Sequence, residues 1–266
     1  MTDAPNHAKL SATVLLVRDK SELEVLMVAR HYQIDFASGA LVFPGGKAHE
    51  EDEADAWNDH ADGNFSGTQR AARVCAVREA FEESGILLAR SAGARGIGAK
   101  LVGASIADRL APMRGAVDRR EESFLELMQA NGLVLALDTL IQFGHWITPD
   151  MMPKRFDTHF YVAPTPDDQV ASHDGRETTD ARWLNPSTAL NMAATGEATI
   201  IFPTRMNLEK LKAAQSVRDA QELFGEADIV TVQPKLGTSP DGEPCLFIPE
   251  EAGYGQTMEL LDRAMR

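Results

Sequence analysis

At 266 residues the chain can form one well-buried domain with additions, or two small ones. Hydrophobic residues at 44% and charged residues at 25% are ordinary for a soluble globular protein. The formal net charge of −14 argues against nonspecific binding to nucleic acid or to an anionic membrane, and any anionic ligand must be met by locally placed cations.

Near the start, residues 11–17 (SATVLLV) and 24–29 (EVLMVA) are β-branched and apolar, and the polar residues 18–22 between them predict a hairpin turn. Arg30 and His31 close the second strand. A loop over 34–39 and a strand over 40–43 lead into Pro44-Gly45-Gly46-Lys47, where the backbone turns sharply enough to approach a ligand. Residues 50–69 (EEDEADAWNDHADGNFSGTQ) are acidic, rich in Gly, Asn and Asp, and poorly periodic, which predicts a loop. The stretch 74–88 (VCAVREAFEESGILL) predicts a helix ending in a left-handed cap at Gly85.

After that helix, residues 93–103 are glycine-rich. Helical segments are expected over 106–110 and 118–131, then strands over 133–137, 140–147 and 154–162. The extra helix reads as packing or a dimer surface. From Ser187 the pattern turns helical: 187–195, 207–214 and 216–224, with Ser187 and Asn207 as starts and Gly196 and Gly225 as stops. Late strands are expected at 229–232 and 246–248. Cys75 and Cys245 make neither a disulfide framework nor a zinc pattern, so both are expected as buried reduced thiols. No apolar run reaches the length of a membrane span, the first ten residues lack a secretory pattern, and the last residues do not resemble the peroxisomal tripeptide. A cytoplasmic protein is the expectation.

The helix 74–88 carries the chemistry. Val74, Val77 and Phe81 recur at core-facing spacing, while Glu79, Glu82 and Glu83 share the neighbouring face. Like charges at that spacing repel by roughly 0.2–0.5 kcal/mol per pair on an exposed helix. A hard divalent cation reverses the sign, because Mg²⁺ prefers carboxylate oxygens. The plain alternative is a solvated acidic face.

The glycine turn followed by Arg78-Glu79-Ala80-Phe81-Glu82-Glu83-Ser84-Gly85-Ile86 resembles the Nudix box, whose pattern is G, five residues, E, seven residues, then REUxEExGU with U apolar. Ala80 is a small substitute for the first apolar position. In the first half of the box, counting forward from Gly46 places the missing acid at Asp52, whereas counting back from Arg78 reaches Arg70, eighteen positions later. The split, with the text Val42-Phe43-Pro44-Gly45-Gly46 and Cys75 to Leu88, resembles the peroxisomal coenzyme A diphosphatase subgroup. Glu51, Asp52 or nothing stands for the displaced acid.

The resemblance implies an α+β fold: a Nudix-like α/β/α sandwich with a mixed sheet, an inserted helix and a helical C-terminal extension. The hydrolase domain would span 8–186, with the loop 50–69 inside the box and a helical insertion at 104–132; residues 187–266 would pack on it. The implied activity is hydrolysis of a diphosphate linked to another group. Coenzyme A or acyl-coenzyme A, giving 3′,5′-ADP and (acyl-)4′-phosphopantetheine, is the first choice. ADP-ribose, NADH or another nucleoside diphosphate derivative is the alternative within the class, and a non-catalytic ligand-binding regulator the alternative outside it. Mg²⁺ or Mn²⁺ would be held by Glu82 and Glu83 with Glu79 and the Gly45 carbonyl. Glu79 or Glu177 would accept the proton of water, with Asp180 in reserve, and Arg78 would hold the glutamates in place. Arg30, Lys47 and Arg155 are the candidates for substrate contact, with an ion pair to Asp157 or a neighbour as the plain reading of Arg155. Nucleic acid and membrane are not expected partners; a homodimer is common among proteins of this kind, although the residues themselves do not decide it.

Overall fold

The computed structural model describes residues 7–30, 39–96 and 98–264. The first half of the chain contributes β1 (Lys9–Asp19), β2 (Leu23–Arg30), β3 (Leu41–Val42), β4 (Gly45–Lys47), α1 (Trp57–His60), α2 (Gly67–Ser84) and β5 (Ala89–Ser91). The middle holds α3 (Ala104–Leu110), α4 (Arg114–Asp118), α5 (Phe124–Ala130), β6 (Leu133–Leu135), β7 (Ile141–Ile147), β8 (Phe156–Pro164) and β9 (Thr178–Leu184). The last third adds α6 (Pro186–Thr195), α7 (Phe202–Leu211), α8 (Val217–Phe224), β10 (Thr231–Val232), β11 (Lys235–Thr238), β12 (Pro244–Phe247), β13 (Met258–Leu260) and α9 (Leu261–Ala264).

The apolar run at the start forms β1, and the main sheet is built around it. One part of β1 pairs antiparallel with β4 and another with β2, while Lys9 to Val17 lie parallel to β8. The order is β10-β7-β8-β1-β2-β3, with β9 also on β2. Because side chains alternate along a strand, β1 feeds two cores. Ala12, Val14 and Leu16 meet Val74, Val77 and Phe81 of α2, whereas Leu15 and Val17 meet Ala189, Leu208 and Phe224 of α6 to α8. The expected α/β/α sandwich with a mixed sheet is what forms. No helix among the described residues is long and apolar enough to cross a membrane.

Several elements differ from the sequence expectation. The segment 50–69 is not a plain loop: it holds a 3-10 turn at Glu50–Glu53, α1, and the first residues of α2, which begins at Gly67 rather than Val74. Trp57 is the cause. Its ring is fully buried, 5.9 Å from that of Phe124, and its Nε1 donates to the Glu51 carbonyl at 2.9 Å. One aromatic anchor orders a stretch whose composition is otherwise that of a loop. The single helix expected over 118–131 is two. The chain breaks at Arg120, whose φ is 59°, and restarts behind the Ser123 hydroxyl, which accepts from the Glu126 amide.

Asn207 does not start a helix. α7 begins five residues earlier, with Pro203 in its first turn, and Asn207 is buried within it, accepting from the Tyr254 hydroxyl at 3.2 Å. Asn185 rather than Ser187 caps α6, and Gly225, at φ −63°, is not a left-handed cap, although Gly196 is. The C-terminal region is not purely helical: β10 joins the main sheet parallel to β7, and β11, β12 and β13 form a small sheet of their own. A short β5–β6 ladder, absent from the sequence reading, closes the insertion 104–132 at its base. His31 and most of the loop 34–39 lie outside the described residues.

Trp57 therefore carries the fold of the segment that interrupts the box. Trp57→Ala should cost about 3–5 kcal/mol. Urea denaturation of both proteins checks this, and a midpoint unchanged from wild type would show that the indole is not a structural anchor.

Candidate functional site

The carboxylates of α2 are not a solvated face. Glu79, Glu82 and Glu83 are only 7%, 5% and 8% exposed, because the helix is covered by the sheet on one side and by the 3-10 turn 50–53 and α4 elsewhere. The helix stops at Gly85, which takes φ 76° and donates its amide to the Phe81 carbonyl. That stop leaves Glu82 and Glu83 in the final turn.

Arg78, 1% exposed, is the counter-charge at the centre. Its Nη1 donates to Glu79 at 2.8 Å and to Glu82 at 3.0 Å, and Nη2 donates to the Lys47 carbonyl at 2.9 Å. Nε and Nη2 form a two-pronged pair with Asp52 at 3.0 and 2.9 Å. This answers the question of the displaced acid. Asp52, the position reached by counting forward from Gly46, is buried beside Arg78, while Glu51 turns away to accept from the Ser123 hydroxyl and the Phe124 amide. Twenty-five residues, α1 and the first turns of α2 among them, lie between Asp52 and Arg78, so the pair is distant in sequence and joined in space.

The glycine bend meets the helix directly. The Gly45 amide donates to Glu83 Oε2 at 3.1 Å, and a Cβ on Gly46 would sit 2.6 Å from Glu79 Oε1. Any larger residue at 46 would push this carboxylate out of place. Gly45 thus reaches the acids through its amide.

Electrostatically the acids are in excess. Burial pushes the carboxyls of all three up, to about 8 for Glu82; Arg78 pulls Glu79 and Glu82 back only in part. Glu83 is raised further by Glu79, and the Gly45 amide and Arg30 oppose this incompletely. Glu177, half-buried just ahead of β9, is raised by burial and then by Asp118 and Asp174, and its own charge reaches Glu79 and Glu83. Glu82 Oε1 is buried with no hydrogen-bond partner. Clustered carboxylate oxygens with one orphaned lone pair suit a hard divalent cation.

The structure thus brings together Gly45, Arg78, Glu79, Glu82, Glu83 and Glu177. Arg30 belongs with them: its buried Nε has no hydrogen-bond partner, and its charge lowers both Glu83 and Glu177. Lys47 is placed differently. Its exposed ammonium lies 5.9 Å over the Phe156 ring, and only its carbonyl meets Arg78. Arg155 pairs with Asp150 at 2.6 Å and donates to the Thr148 carbonyl. Asp180 is spoken for by Arg182. Sequence reasoning missed Arg114, whose Nε donates to the Glu82 carbonyl at 3.0 Å. With Arg119, His173 and Arg176 it lines a cavity of about 210 Å³ against Glu82. These cations sit in the insertion and before β9, outside any box pattern.

Two outcomes follow from this geometry. Asp52→Ala removes a buried partner of Arg78 and should destabilise the fold by about 3–5 kcal/mol, read by urea denaturation; a loss under 1 kcal/mol would mean that the remaining acids hold the guanidinium as well without it. The raised carboxyls also set a pH dependence. An acid harder to ionise in the folded than in the unfolded chain contributes stability that is present below its ordinary value, 4.5, and lost as pH rises through its folded value, about 8 for Glu82. The Tm of metal-free protein should therefore fall across that window. Calorimetry showing a rise instead would contradict the burial of these groups.

Comparison with known proteins agrees with this geometry. Residues 58–211 match the family model of the NUDT19 Nudix domain. Acyl-coenzyme A diphosphatase NUDT19 of Xenopus laevis is 26% identical over 207 residues, covering 64% of this chain and 54% of that protein. The protein of the same name from Homo sapiens is 29% identical over 153 residues, covering 56% of this chain and 41% of its own length. The chain spans about half the length of the curated relatives it matches. A crystal structure of a NUDIX hydrolase from Alicyclobacillus acidocaldarius superposes with a TM-score of 0.71 at 25% identity, over 85% of this chain and all of that one. The fold, the split box with its acids gathered on one helix, and the family match together make this chain a Nudix hydrolase of the NUDT19 Nudix domain family.

Proposed function

We propose that the chain hydrolyses a diphosphate linked to another group in a divalent-metal-dependent reaction, with coenzyme A or an acyl-coenzyme A as substrate. The observation that carries this reading is the buried set Glu79, Glu82 and Glu83, crowded against the glycine bend with Glu82 Oε1 unpartnered. Support for the substrate comes from the similar proteins named acyl-coenzyme A diphosphatase and from the split box of this chain, which resembles that of the coenzyme A diphosphatase subgroup.

Glu82 and Glu83, with Glu79 and the Gly45 carbonyl, would hold Mg²⁺ or Mn²⁺. When bound, such an ion neutralises diphosphate charge and acidifies water. Glu177, the least enclosed of the acids and raised above its ordinary value, would accept a proton from attacking water, with Glu79 as the other candidate. Arg78 holds the rotamers of Glu79 and Glu82. Arg30, whose charge reaches Glu83 and Glu177, would supply a guanidinium for a phosphate oxygen, and Arg114, Arg119 and Arg176 line the adjoining cavity together with Glu82, Asp118 and Asp174. Lys47 and Arg155 would act at the outer end of the substrate. Water adds to one phosphorus and the P–O–P bridge breaks, leaving 3′,5′-ADP and 4′-phosphopantetheine. Residues 8–186 form the hydrolase domain on this reading, and 187–266 an extension packed against the opposite face of its sheet.

Product release from coenzyme A, acetyl-coenzyme A, ADP-ribose, NADH and dinucleoside polyphosphates, each with Mg²⁺ or Mn²⁺, tests the proposal. Coenzyme A or its acyl form should be turned over best, and preference for another member would move the substrate assignment. Glu82→Gln and Glu83→Gln should abolish turnover with the fold retained by circular dichroism, and Glu177→Gln should lower kcat by about 10²–10⁴-fold. Near wild-type rates in both of the first two variants would sink the mechanism.

A further inference from the structure

A second group of metal-ligating side chains lies outside the acid cluster. His145 on β7 is directly opposite His159 on β8, and Asp157 precedes His159 by two positions on the same strand face. The ladders place Gly46, Ala12, His159, His145 and Thr231 in one line across the sheet. His159 is therefore two strands from the glycine bend, roughly 10 Å at ordinary strand spacing.

The two imidazoles stack with centroids 4.3 Å apart and planes 18° from parallel. His145 Nε2 lies 2.5 Å and His159 Nε2 3.9 Å from the same oxygen of Asp157. One ligating atom from each residue is within 4.8 Å of the other two. In a tetrahedral zinc site with bonds of 2.0–2.2 Å, ligand atoms are roughly 3.4 Å apart. The observed 2.5 and 3.9 Å bracket that spacing, and because the rings are stacked with planes 18° apart, binding also requires them to rotate until both Nε2 lone pairs converge on the ion.

The outer ring nitrogens are also held. His145 Nδ1 is 2.8 Å from the Thr231 hydroxyl, and His159 Nδ1 is 3.3 Å from the Gln142 side-chain amide. As they stand, the Gln142 amide nitrogen donates to His159 Nδ1 and His145 Nε2–H faces Asp157; with the Gln142 amide turned so that its oxygen accepts from Nδ1–H, and the His145 proton moved to Nδ1 toward the Thr231 hydroxyl, each Nε2 lone pair would be open to an ion. Histidines that bind metals carry such a partner on the second nitrogen. The neighbouring cation, Arg73, is stacked 3.9 Å over Phe65 and 4.8 Å over Tyr161, and Asp157 supplies the negative charge.

We propose that His145, Asp157 and His159 bind one transition-metal ion of the Zn²⁺ class, with water as the fourth ligand, at a site distinct from the Glu79–Glu82–Glu83 cluster. Two imidazole nitrogens select zinc-like ions over Mg²⁺, whereas the all-oxygen acid cluster prefers the hard cation. The ion would tie β7 to β8 and, through Thr231, to β10 of the C-terminal region.

The test uses the full chain stripped of metal and then held in excess Mg²⁺, which occupies the carboxylate cluster. Equilibrium dialysis should show one Zn²⁺ retained per chain, and Co²⁺ should give the intense visible band of a low-coordinate site rather than the weak band of a six-coordinate oxygen site. His145→Ala, His159→Ala and Asp157→Asn should each lose the retained ion, Thr231→Val should weaken it about 10–100-fold, and Glu82→Gln should keep it. Absence of the intense Co²⁺ band in wild type would overturn the proposal without reliance on any variant. Equal Zn²⁺ retention by both histidine variants, or loss of the ion in Glu82→Gln, would overturn it as well.

Discussion

One buried guanidinium governs this structure. Arg78 is almost wholly withdrawn from water and meets the carboxylates of Asp52, Glu79 and Glu82 within hydrogen-bond distance. A buried ion pair rarely stabilises more than well-packed apolar groups of the same volume, so this arrangement is costly relative to a plain core. What it achieves is position. Each acid is held by a defined donor, and removing any member leaves the others uncompensated in a low-dielectric setting. The surplus of acid over base is then concentrated on Glu82 Oε1 and Glu83, at the end of the helix where the glycine bend arrives.

Much of the fold serves that concentration. α2 would be an ordinary amphipathic helix if only its Val74–Val77–Phe81 stripe were covered; instead the 3-10 turn at 50–53 closes over its polar side and brings Asp52 with it. The turn is fixed from outside by Trp57 against Phe124 and by Glu51 on the start of α5. The two interruptions of the chain, one inside the box and one after it, thus brace each other. Their contact is what allows the acid six positions beyond Gly46 to reach Arg78.

The sequence was legible where local pattern and tertiary role coincide. The hairpin of β1 and β2, the glycine bend, the cap at Gly85 and the shared face of Glu79, Glu82 and Glu83 follow from period and turn chemistry. It was illegible where a distant contact overrides local composition. Nothing near Trp57 announces that residues 50–60 are ordered, and Asn207 reads as a cap until Tyr254, far along the chain, is found bonded to it. The identity of the displaced acid was undecidable from spacing alone, because an insertion destroys the count on one side or the other. The cations near Glu82 were hidden for the same reason: Arg114, Arg119 and Arg176 become neighbours of the acids only when α4 and the segment before β9 are folded against α2.

Those cations also bear on how an acidic chain could admit a polyanion. The guanidinium groups lining the cavity beside Glu82 are already engaged: Arg176 pairs with Asp118, Arg119 with Glu121, and Arg114 donates to the Glu82 carbonyl. Paired charges present little net field, and the acids of α2, which burial makes harder to ionise, offer a phosphate no attraction of their own. With a formal charge of −14 on the whole chain, a diphosphate approaching the metal-free cleft meets unfavourable potential before it meets any donor. On the proposed chemistry, a divalent cation that ionises these carboxyls would also supply the positive field a diphosphate needs, so it would serve the binding step as much as the chemical one. Arg30, whose Nε lacks a hydrogen-bond partner, would on that proposal draw the phosphate inward.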